Sequence, residues 1–217
     1  MQPIWKFRLV SLLLVAVAGS VGLANLTAEF LRDGAIVFPA MPEQAATEDQ
    51  LASAKRASQT APFRSDLKSD YALAQAGQAI KYDGQQGPSD LAKSAVKSAL
   101  HIGPHDAKLW LVLALLQIRS RDVLVPESMK MSYLTGPGRG ELIPPRLSIL
   151  TASDALRDAD LNDLARSDVR AILTQLSDQR PMIAKDFGRA SETGKAFLEQ
   201  ATRMIDPAAA DALRSAK

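Results

Sequence analysis

Two histidines, His101 and His105, stand four residues apart, the spacing that sets two imidazoles on one helical face around a metal. Gly103 and Pro104 lie between them and break such a helix, and no glutamate follows His101 as H-E-x-x-H requires. The expectation is two surface histidines flanking an inter-helix turn. Asp158-x-Asp160-x-Asn162 opens like a calcium loop, but Asp163 stands where glycine is needed and Val169 where the bidentate glutamate belongs. Capping of the following helix by Asp160 or Asn162 accounts for these residues instead. Ser65-x-x-Lys68 and Ser94-x-x-Lys97 have the spacing of a serine–lysine nucleophile pair, without the S-D-N and K-T-G partners. There is no G-x-S-x-G elbow, and Gly136-Pro137-Gly138-Arg139-Gly140 lacks the Lys-Ser/Thr of a phosphate loop. With no matched nucleophile, base and orienter, the chain is expected not to be an enzyme and to use no metal or cofactor.

The segment best suited to contacts is Thr135 to Pro145, eleven residues with three glycines and three prolines in an otherwise helical pattern. Loops on rigid scaffolds commonly carry the residues that matter. Tyr133, Arg139, Glu141 and Arg146, at or near its edges, are the candidate partner-binding residues.

Leu9 to Ala28 contains no charge for twenty residues. As a helix it would reach roughly 30 Å, the thickness of a bilayer's hydrocarbon core. Lys6 and Arg8 precede it, and Glu29, Arg32 and Asp33 follow, so the positive-inside rule leaves the N-terminus in the cytoplasm and the body outside. Trp5 and Phe7 sit where interfacial rings anchor. Two alternatives stand: an uncleaved inner-membrane anchor, or a signal peptide cut after Ala16-Val17-Ala18. Cleavage would leave an apolar terminus, GSVGLANLTA, which favours the anchor. In a Gram-negative host either option delivers the body to the periplasm.

Residues 1–28 thus form the anchor or signal sequence. Residues 29–63, interrupted by Pro39, Pro42 and Pro62 and rich in Ala, Gln, Thr and Ser, read as a flexible linker with at most a weak helix over 43–58. Residues 64–207 form a helical domain and 208–217 a tail. Ser65 is the expected N-cap of a helix to about Tyr82, with Leu67, Tyr71, Ala74 and Gln78, or Leu73, Ala76 and Ile80, as its inner side. Further helices are predicted over 90–101 (capped by Ser89), 107–120, 126–134, 146–157, 161–177, 181–188 and 191–205. Leu161, Ala165, Val169, Ile172 and Leu176 make one buried stripe. Thr135 to Pro145 is predicted non-helical. No apolar run alternates with period two, so the body is expected to be all-α.

One spacing repeats after thirty-three residues: Ala92-x3-Val96-x2-Ala99-x4-Pro104 and Val125-x3-Met129-x2-Ser132-x4-Pro137. Trp110-x2-Leu113-Ala114 lies between, and Leu73-x2-Ala76-Gly77-x2-Ile80 fits the place before the first copy if the GQQGPS turn carries three extra residues. This arrangement resembles the tetratricopeptide repeat over about residues 66–137, roughly two repeats. It departs at Gln117, Val125 and Ser132, and Lys195-x3-Glu199-x2-Thr202-x4-Pro207 keeps the spacing with different chemistry. The resemblance implies antiparallel helix pairs stacked as a short solenoid. Gly77, Ala92, Ala99 and Ala114 would allow close approach, Val96, Trp110 and Leu113 would fill the groove, and Pro104 and Pro137 would start the next helices. Tyr133 to Pro137 followed by Leu142-Ile143-Pro144 is also similar to helical proteins of the proteobacterial cell envelope, some linked to surface polysaccharide.

Composition limits the remaining classes. Setting aside Lys6 and Arg8 from 26 basic residues leaves 24 against 24 acidic ones, so the body has no surplus cation for phosphates and nucleic acid is excluded as a partner. Cysteine is absent, which removes disulfides, thiolate metal sites and a lipoprotein anchor. Aromatics at 5% argue against a stacked-ring cleft. The expected function is a membrane-anchored periplasmic scaffold that binds an envelope protein partner through its helical repeats. An accessory factor of surface-polysaccharide or envelope assembly, or an envelope hydrolase with an unrecognised site, are the alternatives.

Overall fold

A computed structural model of the protein describes residues 4–34, 36–39, 45–82 and 86–215. The described residues hold eleven α-helices and no strand, as expected of an all-α chain. They fall into two compact units, Met1–Pro104 and His105–Lys217.

The first unit contains α1 (Ile4–Leu31), α2 (Glu48–Thr60), α3 (Ser65–Lys81) and α4 (Gln86–Ile102). Helix α1 is long and apolar enough to cross a membrane, and none of that stretch is buried apart from its end. Three of its polar side chains bond within the helix: Ser20 Oγ donates to the Val17 carbonyl, Asn25 Nδ2 to that of Val21 and Thr27 Oγ1 to that of Leu23. Its last turn packs on protein, where Ala28 and Leu31 meet Ala57, Ala61 and Leu67.

Helix α2 occupies the second half of the segment read as a flexible linker. Thr47 and Gln50 form a capping box, each side chain accepting the other's backbone N–H, and Glu48 and Asp49 complement the N-terminal dipole. The apolar stripe is small but sufficient: Ala54 and Ala57 are buried, and Ala54 packs with Ala46 and Ala74. Helix α3 runs between α2 and α4, which explains why two sides of it read as inner. Leu67, Ala74 and Gln78 are buried on one, Leu73, Ala76 and Ile80 on the other. The α3–α4 pair is antiparallel, since Gly103 just beyond α4 lies against Ser65 at the start of α3. The cap of α3 is Arg64, with Ser65 its first residue, and α4 begins before Ser89, which lies inside the helix.

The second unit contains α5 (Ala107–Arg119), α6 (Val125–Thr135), α7 (Ile143–Thr151), α8 (Ala159–Thr174), α9 (Arg180–Arg189), α10 (Glu192–Arg203) and α11 (Pro207–Ser215). Helices α5 and α6 are antiparallel: Ser132 Oγ, near the end of α6, donates to the Ala107 carbonyl at the start of α5. Helix α7 contacts α5, α8, α9 and α10. The expected helix over 146–157 divides into α7 and a 3-10 turn, Asp154–Arg157. Two expectations are corrected. Pro144 and Pro145 are helical, because the first turn of a helix has no N–H to lose, and a 3-10 turn over Gly140–Leu142 leads into it. Residues 207–215, read mostly as tail, form α11 on α10.

Among the residues assigned to repeat packing, Gly77, Ala92, Val96, Ala99, Leu113 and Ala114 are buried and Trp110 is half-buried. Gly77 makes room for the Ala45–Ala46 backbone, which a Cβ would meet at about 3.1 Å. Pro104 and Pro137 are exposed and lie in turns, so neither starts a helix; Asp106 caps α5 instead, its carboxylate accepting the Lys108 and Leu109 N–H groups. Leu161, Ala165, Val169 and Ile172 are buried on α8, while Leu176 lies beyond its end and Leu173 takes the inner place.

Candidate functional site

The four residues singled out around the Gly/Pro segment divide into two pairs. Arg139 and Glu141 are exposed and lie 3.5 Å apart as an ion pair. Tyr133 and Arg146 are buried, Arg146 with no exposed surface at all, so neither side chain offers a partner a surface.

Arg146 turns inward because the C-terminal end of α6 places acceptors around it. Arg146 Nη2 donates to two carbonyls there, those of Ser132 at 2.5 Å and Gly136 at 2.9 Å, while Nε donates to Ser132 Oγ at 3.1 Å. Ser132 Oγ passes its own proton to the Ala107 carbonyl at 3.0 Å. Gly136 is required at the junction: a Cβ there would lie 2.6 Å from that of Ala107. The guanidinium carbon lies 4.5 Å from the centroid of the Tyr133 ring, a cation–π contact. Nη1 is buried with no hydrogen-bond partner among the described residues.

The network continues to α8. Tyr133 Oη donates to Asp168 Oδ2 at 2.5 Å, and both groups are buried. Burial pushes the Asp168 carboxyl up to about 6, against the opposing pull of the Tyr133 hydroxyl and the Arg146 charge. Burial and the neighbouring carboxylate push the Tyr133 phenol up, and burial pushes the Arg146 guanidinium down. Asp186 on α9, facing the Ser148 hydroxyl, is also pushed up to about 6 by burial. Buried polar clusters of this kind fix how helices meet. Asp168 and Ser132 are the members missed in the sequence; their signal is faint, a polar residue on the inner stripe of an amphipathic helix.

A second charged cluster sits where α1 joins the body. Arg32 Nη2 lies 2.8 Å from Asp70 Oδ2, and Arg64 bridges Glu29 (2.9 Å) and Asp66 (2.5 Å). Arg64 holds the Asp66 carboxyl below its usual range, whereas burial raises that of Asp70 despite Arg32.

The other motifs carry structure. His101 and His105 are exposed. No group of three His, Cys, Asp or Glu residues able to hold a metal occurs among the described residues. The cap of α8 is Asp158, not Asp160 or Asn162: it accepts the Leu161 N–H, and with Asp160 it pairs Lys130 at 2.8 and 2.9 Å. Compared with protein-family models, with curated proteins and with solved structures, the chain matches none in any of the three.

Proposed function

We propose that the protein is a non-enzymatic scaffold held to the inner membrane by α1, with its helical body in the periplasm binding an envelope protein. The observation that carries the membrane part is the exposed apolar surface along α1, at Leu12, Val15 and Leu23 among others, beside a last turn docked on the body. Left in water, that surface would far exceed the apolar patches a soluble monomer tolerates. Ser20, Asn25 and Thr27 bond within the helix, as a hydrocarbon environment demands. Lys6 and Arg8 ahead of the apolar run orient it with the body outside the cytoplasm.

The adaptor part rests on the division of the Gly/Pro segment. Its buried half, Tyr133 and Arg146, locks α6 to its neighbours, leaving Arg139 and Glu141 displayed on a rigid base. The antiparallel pairs α3–α4 and α5–α6 are the units a tetratricopeptide-like stack would use to present such a surface. A photo-crosslinker at position 139 or 141 of the full chain, in its native membrane, tests this. Reproducible capture of one envelope protein is expected; recovery of the chain alone, or a body found in the cytosol by protease protection, refutes it.

A further inference from the structure

We propose that the corner between α2 and α3, Ala61-Pro62-Phe63, is a second membrane contact, with the Phe63 ring among lipid acyl chains in the outer leaflet beside α1. This rests on the reading of α1 as a membrane anchor. The direction of the chain comes first. Ala46 lies against Gly77 and Gln78 near the end of α3, and its carbonyl accepts from Gln78 Nε2 at 2.7 Å. Helix α2 therefore runs back antiparallel to α3, with its C-terminal end alongside α1. Ala57 and Ala61 pack with Ala28, and beyond them Pro62 and Phe63 line a cleft of about 340 Å³ against Ser20, Val21, Ala24 and Asn25, with Arg64 also on its wall.

Depth follows from helical rise. At 1.5 Å per residue, Ser20 to Asn25 lies roughly 5 to 12 Å below Ala28, the last residue of the charge-free run. Phe63 therefore shares a cleft with residues that the anchor reading puts in hydrocarbon, and it is 91% exposed in the protein. The chemistry of the corner fits. From Ala57 to Phe63 no residue is charged, and Thr60 Oγ1 is satisfied by the Arg56 carbonyl. The Arg64 N–H bonds the Ala61 carbonyl across the turn. Arg64, the next residue after Phe63, meets Glu29 at the top of the run. Apolar ring below and ion pair above thus change over within one residue, as the interface does.

The chain has no cysteine, so single cysteines can be labelled without background. Full-length Phe63→Cys and, separately, Val15→Cys carry an environment-sensitive fluorophore in vesicles of phosphatidylethanolamine and phosphatidylglycerol containing lipid-attached quenchers; circular dichroism checks folding. The expected result is blue-shifted emission at both sites, with Phe63 quenched most by shallow and Val15 by deep quenchers. A shielded Val15 probe with a water-like Phe63 probe overturns this proposal and leaves the anchor standing. Blue-shifted emission at Phe63 without lipid quenching means another protein chain covers the corner and also overturns it. A water-like Val15 probe overturns the anchor reading itself.

Discussion

The Tyr133 hydroxyl donates to the Asp168 carboxylate across 2.5 Å, so an α6 side chain supplies a polar partner to a carboxylate buried on α8. That contact ends a relay from the Ala107 carbonyl through Ser132, Arg146 and the Tyr133 ring. It makes the helical core of the second unit sensitive to pH.

Burial lifts the Asp168 carboxyl to about 6, whereas an unfolded aspartate titrates near 4. Between these values the folded chain holds a proton that the unfolded chain has released, so stability falls as pH rises through the window and levels above about 6. The change is on the order of 3 kcal/mol at about 1.4 kcal/mol per unit. Asp168→Asn should remove this slope, leaving the similar one from Asp186. Urea unfolding of the detergent-solubilised protein from about pH 4 to about pH 7 reads the difference; parallel curves for the two proteins would refute it.

Tyr133→Phe leaves the carboxylate buried without its donor. The expected loss is about 1–3 kcal/mol at neutral pH, the cost of a buried unsatisfied group, and it should shrink below about pH 6 as Asp168 takes up a proton. Thermal melts of both proteins at the two pH values test this, and a pH-independent loss would speak for packing alone.

Arg146 and Arg139 are seven residues apart and should behave oppositely. Arg146→Ala removes three hydrogen bonds and leaves the space of a fully buried side chain unfilled, an expected loss of about 2–5 kcal/mol. Arg139→Ala breaks only an exposed pair and should stay within about 1 kcal/mol of wild type. Denaturant midpoints for the two variants compare them directly.

What could be read in the sequence follows from the range of the forces involved. The charge-free run of α1 and the periodicity of α3 to α6 and α8 are local patterns, and they placed those helices to within a few residues. Helix α2 has only a thin apolar stripe, so its signal is the capping-box spacing Thr47-x-x-Gln50. The start of α7 is hidden because Pro144 and Pro145 look like breakers, yet they stand in the first turn, where a helix tolerates them. The fate of Arg146 was not legible: whether an arginine beside a loop faces water or the core depends on carbonyls supplied by α6 and on the ring of Tyr133. No local pattern encodes that approach.

Backbone contact separates two glycines, Gly194 and Gly188. Gly194, in the first turn of α10, lies against the Thr151 backbone at the end of α7, where the Thr151 carbonyl accepts from both Ser191 N–H and Ser191 Oγ. A Cβ at position 194 would collide with that carbonyl, and backbone cannot rotate aside as a side chain can. Gly188, exposed on α9, has nothing within 4 Å of its would-be Cβ. Gly194→Ala should therefore cost about 1–3 kcal/mol by overpacking and speed hydrogen exchange of the Ser191 amide. Gly188→Ala should stabilise by up to about 1 kcal/mol, because alanine loses less backbone freedom on folding. Equal effects of the two substitutions on the melting temperature would mean that α10 does not rest on the end of α7 as described.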